Sequence, residues 1–265
     1  MYPKIRSALE YFHYYVTASN SRGHGTHSPF VYQFITEILN DQAHYPAYDM
    51  VETLRKKLLH DKTVLAIQDL GAGSVVDKTG RRSIASIAKH AAKPKKSGQL
   101  LFRIVNKYRP QTVIELGTSL GITTSYLSLA NPFANILTFE GAGAVAAIAK
   151  NNFSAMNLQN VQLVEGNFDE TLRTGISSLP AVDFAFIDGN HRKEPTIEYF
   201  SLMLKKINSS SVVILDDIHW SRGMKEAWNY CKANPSVTLS IDLFFMGILF
   251  FRKENLEKQH FTIRF

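Results

Sequence analysis

From Thr112 onward, short runs of Val, Ile, Leu and Phe alternate with stretches long enough to form helices. Consecutive apolar positions of strand length fit strands buried on both faces, which is the condition in a parallel sheet covered by crossover helices. The runs predict strands at Thr112–Leu116, Asn135–Glu140, Val161–Glu165, 182–188 and 211–216. Residues 237–252 alternate and then run apolar around Met246-Gly247, which predicts two antiparallel strands joined by a tight turn at the sheet edge. Five parallel strands and a terminal hairpin make a doubly wound α/β sheet of seven strands, mostly parallel.

Before Thr112 the pattern changes to helical spacing, with Ile5, Leu9, Phe12 and Val16, then Phe30, Phe34 and Ile38. This predicts a helical N-terminal extension over residues 1–98 and a sheet domain over 99–265. Pro94 and Ser97-Gly98 punctuate the chain ahead of a helix expected at 99–108. The first twenty residues mix aromatics and Glu10 into their apolar positions and lack a small-residue cleavage site, so they do not read as a signal peptide. The longest apolar stretch, 243–251, is far short of the ~20 residues a membrane-spanning helix needs. No membrane association is expected.

Composition sharpens this picture in two places. Hydrophobic residues make up 45% of 265, enough to bury a full core, and Cys231 is the only cysteine. With no disulfide available, a reducing, cytoplasmic setting is expected. The formal charge of +7 comes from one segment: residues 78–109 hold ten Lys/Arg and no Asp/Glu. Such a run is either a solvated face or a rim that attracts anions.

Two glycine motifs compete for a ligand, Asp69-Leu-Gly71-Ala-Gly73 and Glu115-Leu-Gly117-Thr-Ser-Leu-Gly121. A nucleotide loop needs a buried strand before it and a helix after it, so that backbone N–H groups at the helix start meet the ligand. Only the second has both, and the first reads as a turn. A carboxylate, Glu140, closes the next strand about 20 residues later, where a ribose's hydroxyls can be gripped. The spacing G-x-x-x-G differs from the G-x-G-x-x-G of a pyrophosphate loop, which favours a ligand without phosphates. Val113-Ile-Glu115-Leu-Gly117-Thr-Ser-Leu-Gly121 resembles motif I of class I S-adenosylmethionine-dependent methyltransferases, and the resemblance runs from Thr112 to about Arg252. It implies a Rossmann-like fold, with Glu115, Gly117, Thr118, Ser119 and Gly121 around the cofactor, Glu140 on its ribose, and Asn167 and Phe168 beside its adenine. The family often has aspartate where Asn167 stands.

The ends of the two later strands carry Asp188-Gly-Asn-His191 and Asp216-Asp217-Ile-His219-Trp220. In an open α/β sheet, ligands bind outside the carboxyl ends of strands, so Asp188, Asp216 and Asp217 should converge. Carboxylates held close repel one another unless a proton or cation intervenes, and Mg²⁺ or a similar divalent cation takes oxygen ligands of this kind. Such a cation lowers the pKa of a hydroxyl bound to it. This pattern resembles the metal-dependent O-methyltransferases of the catechol and the macrolide or aminocoumarin sugar types. By that resemblance Asp188 also borders the cofactor, and His191 stands where the catechol type carries a lysine base. Imidazole ordinarily titrates near 6.5, which suits proton removal, so His191 is a candidate base or substrate-orienting group. Against these readings, Asp188-Gly189 fits a polar turn and Asp217 a helix N-cap.

Arg22-Gly-His24-Gly-Thr-His27-Ser28-Pro29 reads as a loop entering a helix at Ser28-Pro29. The N-terminal helices would then either cover the cofactor or build a homodimer interface. The expected activity is methylation of a small hydroxylated, possibly anionic, molecule. The alternative is an RNA or protein methyltransferase whose basic segment 78–109 guides a polyanion. No Asn-Pro-Pro-Tyr-type tetrapeptide supports that alternative.

Overall fold

The structure, a computed structural model, describes residues 2–23, 25–67 and 80–265. The Asp69–Gly73 motif, His24 and Lys78 lie outside the described residues.

Along the chain the elements are α1 (Lys4–Thr17), α2 (Pro29–Phe34) continued by a π-helical turn (Ile35–Leu39), α3 (Pro46–His60), β1 (Val64–Ala66), β2 (Arg81–Ser83), α4 (Ile84–His90) and α5 (Lys95–Tyr108). There follow β3 (Thr112–Leu116), α6 (Ile122–Ala130), β4 (Asn135–Glu140), α7 (Gly143–Ala155), β5 (Val161–Glu165), α8 (Phe168–Ser177), β6 (Phe184–Ile187) and α9 (Lys193–Leu204). The last are β7 (Val212–Asp216), α10 (Arg222–Ala233), β8 (Leu239–Asp242), β9 (Met246–Phe250) and β10 (Gln259–Thr262). Ser28 and Pro29 start α2 as expected, with Pro29 in the first turn, where its missing N–H costs nothing.

The chain packs as two compact units, one of Gln42–Ser178 and one of Met1–Asp41 with Leu179–Phe265. In the first, β3, β4 and β5 run parallel in that order, Val113 opposite Ile136 and Ile136 opposite Val161. Every residue of β3 is buried, Glu115 included, as in a strand covered on both faces. Helix α5 begins at Lys95, four residues ahead of the expected start, because Gly98 does not break it. A Cβ at Gly98 would lie 2.6 Å from the Tyr126 ring on α6, so the glycine serves close helix packing. The Tyr126 hydroxyl then donates to Glu52 on α3 at 2.7 Å.

The second unit orders its strands β10-β8-β9-β7-β6. Strands β6 and β7 are parallel, β9 is antiparallel to both β7 and β8, and β10 is parallel to β8. The hairpin is present, but, leaving aside β1 and β2, which pair antiparallel as a separate two-stranded sheet, the described residues give three strands in one unit (β3–β5) and five in the other, eight rather than the expected seven. The strand missed in the sequence, β10, reads Gln-His-Phe-Thr at an edge, a segment with no apolar run to mark it. Helix α1 docks through Tyr14, whose hydroxyl donates to the Ile263 carbonyl at 2.5 Å, through the Glu10–Lys225 ion pair at 2.8 Å, and through Tyr11 edge-on to Phe244. Its sequence stripe of Ile5, Leu9, Phe12 and Val16 points outward, 59–79% exposed. Among the described residues no helix is long and apolar enough to cross a membrane.

Candidate active site

The first unit builds a loop with a bend at each end. Gly117 (φ 98°) and Gly121 (φ 81°) adopt left-handed conformations that glycine takes without strain, and Ser119 (φ 49°) does so at a cost of order 1–3 kcal/mol. The loop is fastened to the neighbouring strand. Gly117 and Thr118 both donate their N–H to the Phe139 carbonyl, at 3.0 and 3.1 Å. Ser119 N–H donates to Glu140 Oε2 at 2.8 Å, and Ala142 N–H donates to Glu140 Oε1 at 2.9 Å. The strained serine therefore aims its amide at the acid that sequence spacing paired with the glycine loop. Gly117 and Glu140 are brought together, as that pairing required.

Beneath the loop lies Glu115, fully buried. Thr124 and Thr138 donate to its Oε2 at 2.5 and 2.6 Å, and the Thr118 and Thr138 hydroxyls are 2.6 Å apart. Neither threonine partner was visible in the sequence, because the contacts join β3 to α6 and to β4, 9 and 23 residues further along the chain, and only the fold brings them together. Burial pushes the Glu115 carboxyl up to about 7, the charge of Glu140 adds to that, and the two threonine hydrogen bonds oppose it. Asn167, at the end of β5, accepts the Asp169 N–H at 3.1 Å and so caps α8, and Phe168 is half-buried beside it. The cap occupies the Asn167 side-chain oxygen and leaves its amide N–H₂.

The second unit carries the acidic constellation. Asp188 follows β6 and Asp216 ends β7, which runs parallel to it. Ligand atoms of Asp188, His191 and Asp216 all lie within 4.8 Å of one another, with His191 Nε2 3.5 Å from Asp188 Oδ1. Asp216 is 1% exposed, Asp188 and His191 half-buried. The backbone is bent to make this cluster: Asn190 (φ 65°), His191 (φ 24°) and Asp217 (φ 52°) all take left-handed angles. Such strain in non-glycine residues collects at functional sites. Asn190, which sequence reasoning passed over, is held by donating to the Tyr199 hydroxyl at 3.1 Å and accepting from Arg192 Nε at 2.6 Å. It thereby fixes the turn that presents His191.

The expected third aspartate, Asp217, is not in this cluster. It donates its N–H to the Phe245 carbonyl at 2.7 Å, and the cap of α10 is Ser221, which accepts the Met224 N–H at 3.1 Å. Trp220 lies with its ring 5.6 Å from that of His191. His219 turns away to pair with Asp242 at 2.8 Å and to stack on Phe244.

Two carboxylates, with an imidazole that can serve either as a third ligand or as a base, fit a divalent cation. Ligands about 2.1 Å from one ion stand up to about 4.2 Å apart, so a small inward movement of these side chains would complete the set.

Residues 114–218 match the family described as methyltransferase domain. An uncharacterised protein of Acanthamoeba polyphaga mimivirus is 28% identical over 134 residues, which are 46% of this chain and 60% of the viral protein. Among solved structures, the S-adenosylhomocysteine-bound methyltransferase of Podospora anserina superposes with a TM-score of 0.59 at 12% identity, over 85% of this chain and 97% of that one. The Bacillus cereus O-methyltransferase in complex with S-adenosylhomocysteine gives 0.54 at 18%, over 83% and 97%. The Streptomyces achromogenes O-methyltransferase TomG, involved in tomaymycin synthesis and bound to S-adenosylmethionine, gives 0.53 at 18%, over 61% and 82%. The fold is therefore that of the Rossmann-like methyltransferases.

Proposed function

We propose, taking the methyltransferase domain match of residues 114–218 as premise, that this chain moves the methyl group of S-adenosylmethionine to a hydroxyl oxygen of a small acceptor. The observation that carries the reading is the fastening of the left-handed Gly117–Gly121 loop to Glu140 through Ser119. Each Glu140 oxygen accepts one backbone N–H and keeps lone-pair capacity for a ribose hydroxyl. The buried carboxylate beneath the loop and the absence of a pyrophosphate spacing suit a cationic, phosphate-free nucleoside.

In the same reading Asp188 and Asp216 hold a divalent cation, and His191 beside them takes the proton of the acceptor hydroxyl. When bound, that cation would stabilise the deprotonated oxygen. The protein's share is positioning: the Asn190 turn holds the imidazole, and Trp220 walls its side. Specificity for the acceptor would come from the loops after β6 and β7. Cys231 is buried and its thiol is pushed up by burial, so it is inert, and a reducing cytoplasmic setting completes the proposal.

The test is twofold. Calorimetry should show S-adenosylhomocysteine binding, and label from methyl-labelled S-adenosylmethionine should pass to small hydroxylated acceptors and be suppressed by EDTA. Failure to bind either nucleoside overturns the reading, and transfer unaffected by EDTA removes the cation from it.

A further inference from the structure

Glu115 is a buried acid that the proposed methyl transfer does not itself use. Both of its hydrogen bonds end on Oε2, and Oε1 is buried without a partner. Because Thr138 spends its proton on Glu115, the Thr118 hydroxyl must be the donor to Thr138. A chain of hydroxyls thus runs from the loop, at Thr118, to the carboxylate. Among the described residues, the groups that act on Glu115 are the neutral Thr124 from α6, and Thr138 and the charge of Glu140 from β4. Burial places the group near the middle of its titration at neutral pH, at about 7. A cation seated on the loop favours the carboxylate, and a ligand without that charge does not.

We propose that Glu115 is a proton-linked positioning residue: it releases its proton to solvent when the sulfonium donor settles on the Gly117–Gly121 loop, and takes one up again after the donor leaves as the neutral thioether. This rests on the donor proposed above. The O–H bond of Glu115 is the only bond broken and remade, and the proton lost by the acceptor during methylation is separate from it. The device favours the charged donor over the spent product, because only the donor gains from the carboxylate. Affinity for the donor then rises with pH through neutrality, while affinity for the product follows it less.

Calorimetry in buffers of different ionisation enthalpy counts the protons exchanged on binding. At pH 7, S-adenosylmethionine should release about half a proton more per site than S-adenosylhomocysteine, because a group with a pKa of about 7 is about half protonated there. The sulfonium makes the donor's α-amino group the more acidic of the two, and the same comparison in Glu115→Gln gives that contribution. The part of the difference that Glu115 supplies should fade by pH 9 and be absent from Glu115→Gln, compared at ligand concentrations that saturate the variant. In Thr138→Val, which removes a hydrogen bond to the charged form, the difference should persist to higher pH. Equal proton counts for the two ligands in the wild-type chain, or an undiminished difference in Glu115→Gln, would overturn the proposal while leaving the donor reading intact. Failure of both ligands to bind would strike the donor reading first.

Discussion

Glu140 does two jobs with one carboxylate. It holds the loop through Ser119 and Ala142, and under the proposed function it grips the nucleoside's ribose. Glu140→Ala removes both, so S-adenosylhomocysteine affinity should fall about 10- to 100-fold, about 1.5–3 kcal/mol by calorimetry. Gly121 fails differently when replaced. Its φ of 81° strains any side chain, and a Cβ there would lie 2.5 Å from the Phe153 ring. Gly121→Ala should lower stability to urea by about 2–3 kcal/mol even without ligand, which separates a folding defect from a binding defect. His191 allows a third separation. Under the proposed function His191→Gln lowers turnover while cation binding, followed by Mn²⁺ paramagnetic resonance, stays within a few-fold of wild type. A collapse of Mn²⁺ binding would make the imidazole a ligand rather than a base.

At the scale of elements, the close approach of α5 and α6 depends on an absent side chain. Alanine at Gly98 would gain about 1 kcal/mol in helix propensity, but its Cβ would sit 2.6 Å from the Tyr126 ring, with α5 and α6 backbones on either side. Gly98→Ala should therefore be destabilising by about 1–3 kcal/mol in thermal or urea unfolding, and adding Tyr126→Leu, which shortens the offending side chain, should restore part of the loss. The same glycine shows where the sequence misleads. Ser97-Gly98 read as a break because local chemistry carries no trace of a ring arriving from α6. Strands β3, β4 and β5 were legible to the residue, since each apolar run is closed by a turn or a charged position. Strand β10 was not, because an edge strand needs no apolar run. The helical spacing of Ile5, Leu9, Phe12 and Val16 announced α1 correctly, but spacing does not say which face meets the core, and Tyr11 and Tyr14 took that role. In the site, Glu140 was legible because its partner lies in a glycine motif. Thr124, Thr138 and Asn190 were not, since common polar residues become specific only through contacts made in three dimensions.

At the scale of the molecule, the buried acid must leave a mark on folding itself. The folded state raises Glu115 from 4.5 to about 7, chiefly by burial, so the folded chain binds that proton more tightly than the unfolded chain does. The resulting stability is fully present below the unfolded value and is lost as pH rises through about 7, a change on the order of 3 kcal/mol. Other groups act in the same range or near it. His260, lowered first by burial and then by Lys232 and Lys258, contributes stability above its ordinary value that is lost on acidification. Glu10, lowered chiefly by its hydrogen bond from Lys225, contributes in the same sense at lower pH, and so does the exposed Glu226 held by Lys193, whose ion pair is worth little in solvent. These groups are present in both wild type and Glu115→Gln, whereas the titration of residue 115 is present in only one. Subtracting the urea-derived stability of Glu115→Gln from that of wild type at each pH therefore isolates the buried acid. The difference should fall between pH 5 and pH 8 in the ligand-free chain, and a flat difference would mean that Glu115 does not carry its proton into the neutral range.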